Sequence, residues 1–159
     1  MPPRLEVRRI ASMAEAETCS AIMAATDPWV RLGRGYEPCL ALMTRPDREQ
    51  YVALSAGQIA GHLVLAVEGA FVGYIQTVCA APAFRGTGVG TQLVAFAEER
   101  IFREFPNVFM CVSAFNEGAR RLYARLGYEV VGELRDYVVA GESEILLRKT
   151  RGPMVGYVP

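Results

Sequence analysis

Apolar positions along this chain recur in two rhythms, one helical and one strand-like. The clearest helical stripe is Val89, Leu93, Ala97, Ile101 and Phe105, which a four-residue spacing puts on one face. Glu99 and Arg103 form an i,i+4 pair on the other side, and Pro106-Asn107 stops the helix. A second stripe, Ala119, Leu122, Tyr123 and Leu126, predicts a helix capped by Asn116 and closed by Gly127 as its C′ residue. Between these helices Val108 to Val112 is continuously apolar, as expected of a strand covered on both faces.

Toward the N-terminus, Leu5 to Ile10 reads as a short strand. Ser12 and Glu15 form a capping box that starts a helix at Met13, running to Ala25 and ended by Asp27-Pro28. A loop from Asp27 to Gly35 carries Trp29, and a second short helix fits Glu37 to Thr44. Strands are predicted over Tyr51 to Ser55, His62 to Val67 and Phe71 to Cys79, with turns at Gly57 and Glu68-Gly69. The last two strands, Tyr128 to Val139 and Glu142 to Lys149, turn at Ala140-Gly141, and the segment from Thr150 to Pro159 reads as irregular. The order β-α-α-β-β-β-α-β-α-β-β implies an α/β protein: a mixed sheet with helices on both faces.

Composition adds little to this picture beyond exclusions. The 159 residues fit a single domain, 52% apolar and 21% charged, which is ordinary for a globular protein. Seventeen basic and 17 acidic residues balance, so no basic excess points to nucleic acid. No apolar run approaches the roughly 20 residues of a membrane helix, and no signal-peptide core is present, so a cytoplasmic protein off the membrane is expected. Cys19, Cys39, Cys79 and Cys111 lack metal or redox spacing and read as free thiols. With His62 the single histidine, no metal site is expected.

Candidate chemistry concentrates in Arg85-Gly86-Thr87-Gly88-Val89-Gly90, between a strand and the best helix. Glycines there let a ligand approach the backbone, and the helix N-terminus offers free N–H groups and a positive dipole end. That combination suits an anion such as a pyrophosphate. A phosphate-binding P-loop would need a lysine after the last glycine, where Thr91 stands. In a dinucleotide fingerprint the third glycine would come one residue later than Gly90. A plain glycine turn capping a helix is the remaining alternative.

The loop resembles the coenzyme A loop of the GNAT superfamily of N-acetyltransferases: Arg or Gln, two residues, Gly, one residue, then Gly or Ala. Asn116-Glu117-Gly118-Ala119 with Leu122-Tyr123 and Leu126-Gly127-Tyr128 is similar to the second signature of that family. The resemblance implies a seven-stranded mixed sheet whose splayed parallel strand pair binds acetyl-CoA. It implies that the backbone of Val78, Cys79 and Ala80 pairs with the pantetheine arm. Gly86, Thr87, Gly88, Val89, Gly90 and Thr91 would hold the pyrophosphate, with Arg85 at its edge and Asn116 on the arm. Tyr123 would protonate the departing thiolate, a role open to a phenol whose ordinary pKa is near 10. A backbone N–H at Val78 would hold the oxyanion.

The acceptor implied is a primary amine, on a small molecule or a peptide N-terminus, attacking directly in a ternary complex. Pro28-Trp29 resembles the Pro-Trp pair of ribosomal-protein N-terminal acetyltransferases, and Tyr137 sits where those carry a substrate tyrosine; Trp29 as plain packing is the alternative. Some relatives carry a glutamate base in the strand before the Asn, a place held here by Cys111. Asp27, Glu37, Glu68, Tyr74 and Asp136 are the other candidates for the base. A missing base also leaves open a catalytically silent acyl-coenzyme A sensor. The family resemblance further suggests a homodimer.

Overall fold

The computed structural model describes all residues from Met1 to Pro159. Seven strands form one sheet: β1 (Glu6–Arg9), β2 (Glu49–Ser55), β3 (Gln58–Ala66), β4 (Tyr74–Ala80), β5 (Asn107–Ser113), β6 (Glu129–Arg135) and β7 (Ser143–Thr150). Their spatial order is β1-β2-β3-β4-β5-β7-β6. Every neighbouring pair is antiparallel except β4 and β5, which run parallel. The helices are α1 (Met13–Ala24), α2 (Tyr36–Met43), α3 (Val89–Phe102) and α4 (Glu117–Arg125). No helix is long and apolar enough to cross a membrane.

Both faces of the sheet are covered, as the element order implies. The predicted stripe of α3 buries Val89, Leu93, Ala97 and Ile101 against Leu63, Leu65, Ile75, Met110 and Val112, with α4 adding Ala119, Tyr123 and Leu126. On the other face α1 and α2 pack Ala16, Cys19, Met23, Cys39 and Met43 onto Val52 and Val64. Capping follows the sequence: the Glu15 N–H donates to Ser12 Oγ at 3.2 Å, and the Ala119 N–H to Asn116 Oδ1 at 3.2 Å.

Five element boundaries depart from expectation by two residues or more, or with a visible cause. β2 and β3 begin earlier, at Glu49 and Gln58, and meet in a tight turn where Ala56 and Gly57 both take positive φ. β4 begins at Tyr74 rather than Phe71, because Gly73 adopts φ +86° and closes the preceding loop through its N–H to the Ala66 carbonyl. β6 ends at Arg135, well before Val139. Asp136 turns to φ +53° and its carboxylate accepts from the Gly141 N–H at 2.7 Å, so Val138 and Val139 belong to a turn. α3 ends at Phe102, although the Phe105 N–H still bonds the Ile101 carbonyl and keeps Phe105 on the core. The C-terminal segment is irregular and docked, with the Tyr157 hydroxyl donating to the Phe102 carbonyl at 2.6 Å.

Candidate active site

The parallel pair β4–β5 is joined over only two positions, Tyr74 with Phe109 and Ile75 with Met110. The cause lies in β4 itself. On β3, Val64 pairs with Thr77 and Leu65 with Ile75, so Gln76 is an extra, unmatched residue. Such a bulge bends its strand and adds twist. Past it, β4 leaves β5, and the facing edges from Gln76 to Ala80 and from Cys111 to Ser113 lack each other as partners. Both edges open into a cavity of about 770 Å³.

The cavity gathers most of the residues singled out in the sequence. Val78, Cys79 and Ala80 line it from β4, Asn116 and Tyr123 from the start and middle of α4, and Arg85 from the glycine loop. Trp29 and Tyr137 lie on it as well, from the loop after α1 and the turn between β6 and β7. Trp29 is half-buried and also packs against the α1–α2 layer, so both roles weighed for it are compatible with its place.

Gly86 to Gly88 continue the loop past Arg85 and Val89 to Thr91 open α3; none of these six residues lines the cavity. Gly86 and Gly88 take φ +73° and +90°, the left-handed region that glycine tolerates. The N–H groups of Gly86, Gly88, Val89, Gly90 and Thr91 have no acceptor within the chain, and a Cβ at Gly86 or Gly90 would meet nothing within 4 Å. Together with the α3 dipole, these donors make an exposed anion cradle. Only the Thr87 N–H is used internally, on the Phe84 carbonyl. Arg85 Nη2 donates to Thr26 Oγ1 at 2.9 Å, which ties the loop to the end of α1.

Burial sets the protonation states in the cavity. Tyr123 is raised above its ordinary pKa by desolvation, with the Cys79 thiol as a neighbour, so its phenol stays protonated. Its ring meets Tyr128 edge-on at 6.1 Å. The Cys79 thiol is pushed up to about 11 by burial. Cys111, half-buried, is raised by desolvation as well, and no histidine lines the cavity, so neither thiol has the setting of an activated nucleophile.

Most of the bases considered from sequence are not in position. Glu37 lies exposed in the first turn of α2, Glu68 is exposed in the loop after β3, and Asp136 holds a turn. None of the three lines the cavity. Asp27 does, but it is exposed and accepts the Arg31 N–H at 3.2 Å. Tyr74 lines it too, with its pKa driven far upward by burial and the Cys111 thiol, which makes it a proton donor. The sequence reading missed Glu144, on β7, which is 6% exposed and lines the same cavity. Ser113 Oγ donates to Glu144 Oε1 at 2.8 Å across the β5–β7 pair. The available signal was a lone glutamate in an apolar strand register, visible only once β5 and β7 are known to be neighbours.

This geometry agrees with what the chain is similar to. The acetyltransferase (GNAT) family model matches residues 10–128, and the chain belongs to that family. A blasticidin-S acetyltransferase from Streptomyces morookaense is 28% identical over 99 residues, covering 62% of this chain and 72% of the relative. A Desulfovibrio desulfuricans structure assigned to the GNAT family superposes with a TM-score of 0.76 at 18% identity, covering 92% of this chain and 99% of that one. An aminoglycoside 6'-N-acetyltransferase complexed with coenzyme A superposes at 0.73 with 16% identity, over 93% and 98% of the two chains.

Proposed function

We propose that this acetyltransferase moves an acetyl group from acetyl-CoA to the primary amine of a small molecule, by direct attack within a ternary complex. The observation that carries this reading is the divergence of β4 from β5 over a cavity that also receives Tyr123. An arm containing amides pairs naturally with a strand edge, and the edge of Val78, Cys79 and Ala80 would hold it as an added strand. The free N–H groups of Gly86, Gly88, Val89, Gly90 and Thr91 would take the pyrophosphate, with Thr87 bracing the loop and Arg85 at the edge. Asn116 uses its Oδ1 to cap α4, which leaves its amide N–H groups for the arm.

The cosubstrate supplies a thioester, already activated for acyl transfer. The chain then has three tasks: to hold the developing oxyanion, to protonate the leaving sulfur, and to present a neutral amine. A β4 backbone N–H at Val78 serves the first. Tyr123 serves the second, since burial keeps its proton in place. The silent-sensor reading rested on a missing base, and a buried carboxylate in the same cavity favours turnover instead. A small-molecule acceptor is favoured by the relative named for blasticidin-S.

The test pairs two readouts: thermal stabilisation by acetyl-CoA and amine-dependent thiol release. Both are expected. If acetyl-CoA gives no stabilisation and no primary amine in a broad panel supports release, the reading is wrong.

A further inference from the structure

Glu144 is the one carboxylate on this cavity that is buried. None of the chain's ion pairs includes it. Its Oε1 is held by Ser113, and its Oε2 has no partner within the chain. Nearby Glu142 is already matched by Arg31 at 3.2 Å. Oε2 is not sealed from the cavity, and a largely buried carboxylate without a counter-charge gains from a cation or a proton supplied there by whatever enters.

Resting on the transferase reading, we propose that Glu144 receives the acceptor's ammonium group and removes its proton, and that the acceptor carries a single positive charge on an apolar or aromatic body. One proton passes from the ammonium nitrogen to Glu144 Oε2 and leaves through the cavity to solvent. The nitrogen keeps the electron pair and becomes the nucleophile. The acceptor class follows from the rest of the wall. Trp29, Tyr74 and Tyr137 are aromatic, Glu144 is the one buried acid, and Arg34 lies on the same wall. A polycation would gain one buried anchor, and Arg34 would oppose its further charges.

The groups that face Glu144 are Ser113 and Cys111 on β5, Tyr74 on β4 and Glu142 on its own strand's approach. Burial raises its carboxyl, the Glu142 charge adds to the rise, and the Ser113 hydroxyl opposes it. The rise narrows the gap to an amine, which suits a base.

Initial rates of thiol release would be followed against pH for wild type, Glu144→Gln and Ser113→Ala, with phenethylamine and spermine as probes. Glu144→Gln should lower kcat/KM for phenethylamine by about 10²–10⁴-fold and flatten the acid limb of its profile, with acetyl-CoA stabilisation unchanged. Ser113→Ala keeps the carboxylate but removes a hydrogen bond to its charged form, so the acid limb should move to higher pH. The proposal is overturned if Glu144→Gln stays within about threefold of wild type with the acid limb intact, or if spermine outperforms phenethylamine. Absence of both stabilisation and turnover in the wild type would instead defeat the transferase reading itself.

Discussion

His62 offers a sharp test of how burial governs this fold. It lies in the middle of β3, between Val52 of β2 and Cys79 of β4, and is fully buried. Neither ring nitrogen has a hydrogen-bond partner. Desolvation alone lowers its pKa from 6.5 to about 4. The unfolded chain therefore takes up a proton as pH falls through 6.5, while the folded chain resists until about 4. Stability from this group is complete above 6.5 and is lost progressively down to about 4. At about 1.4 kcal/mol per pKa unit, the loss comes to about 3 kcal/mol. Replacing His62 with leucine removes the titration and two unsatisfied nitrogens together, and should be close to neutral at neutral pH. Urea unfolding of wild type and His62→Leu at stepwise pH gives the comparison. Carboxylates held low, such as Glu15 beside Arg8, contribute equally to both proteins and cancel. The wild type should lose about 3 kcal/mol more than the variant over that interval. Parallel curves would refute the argument.

Two further outcomes follow from the site. Tyr123→Phe keeps the ring against Tyr128 and loses only the hydroxyl, so kcat should fall by about 10²-fold with acetyl-CoA affinity nearly unchanged; equal loss in both, measured by steady-state rates and calorimetry, would mean a packing role. Gly73→Ala should destabilise by about 2 kcal/mol or more in chemical denaturation, because φ is +86° and a Cβ would run into the Asn107 carbonyl oxygen and Ile101 Cγ2 at the root of the β4–β5 pair.

The parts of this site legible in the sequence are those with local causes. Gly86 and Gly88 announce a backbone that a side chain would strain, and the spacing from Asn116 to Tyr128 fixes a cap, an apolar stripe and a helix stop. The α3 stripe, from Val89 to Ile101, is read directly from periodicity. What escaped has non-local causes. The bulge at Gln76 exists only in the register of β4 against β3. The role of Glu144 depends on β7 lying beside β5, which sets it opposite Ser113 although Ser143 and Glu144 follow a surface turn in sequence. Val138 and Val139 look like strand residues, but the Asp136 turn overrides their propensity.

Amide hydrogen exchange with and without acetyl-CoA tests the central claim residue by residue. Exchange should slow at Gly86, Gly88, Val89, Gly90 and Thr91, whose N–H groups have no acceptor in the free chain, and along the open β4 edge from Val78 to Ala80. Protection confined to other surfaces, or none at saturating acetyl-CoA, would contradict it.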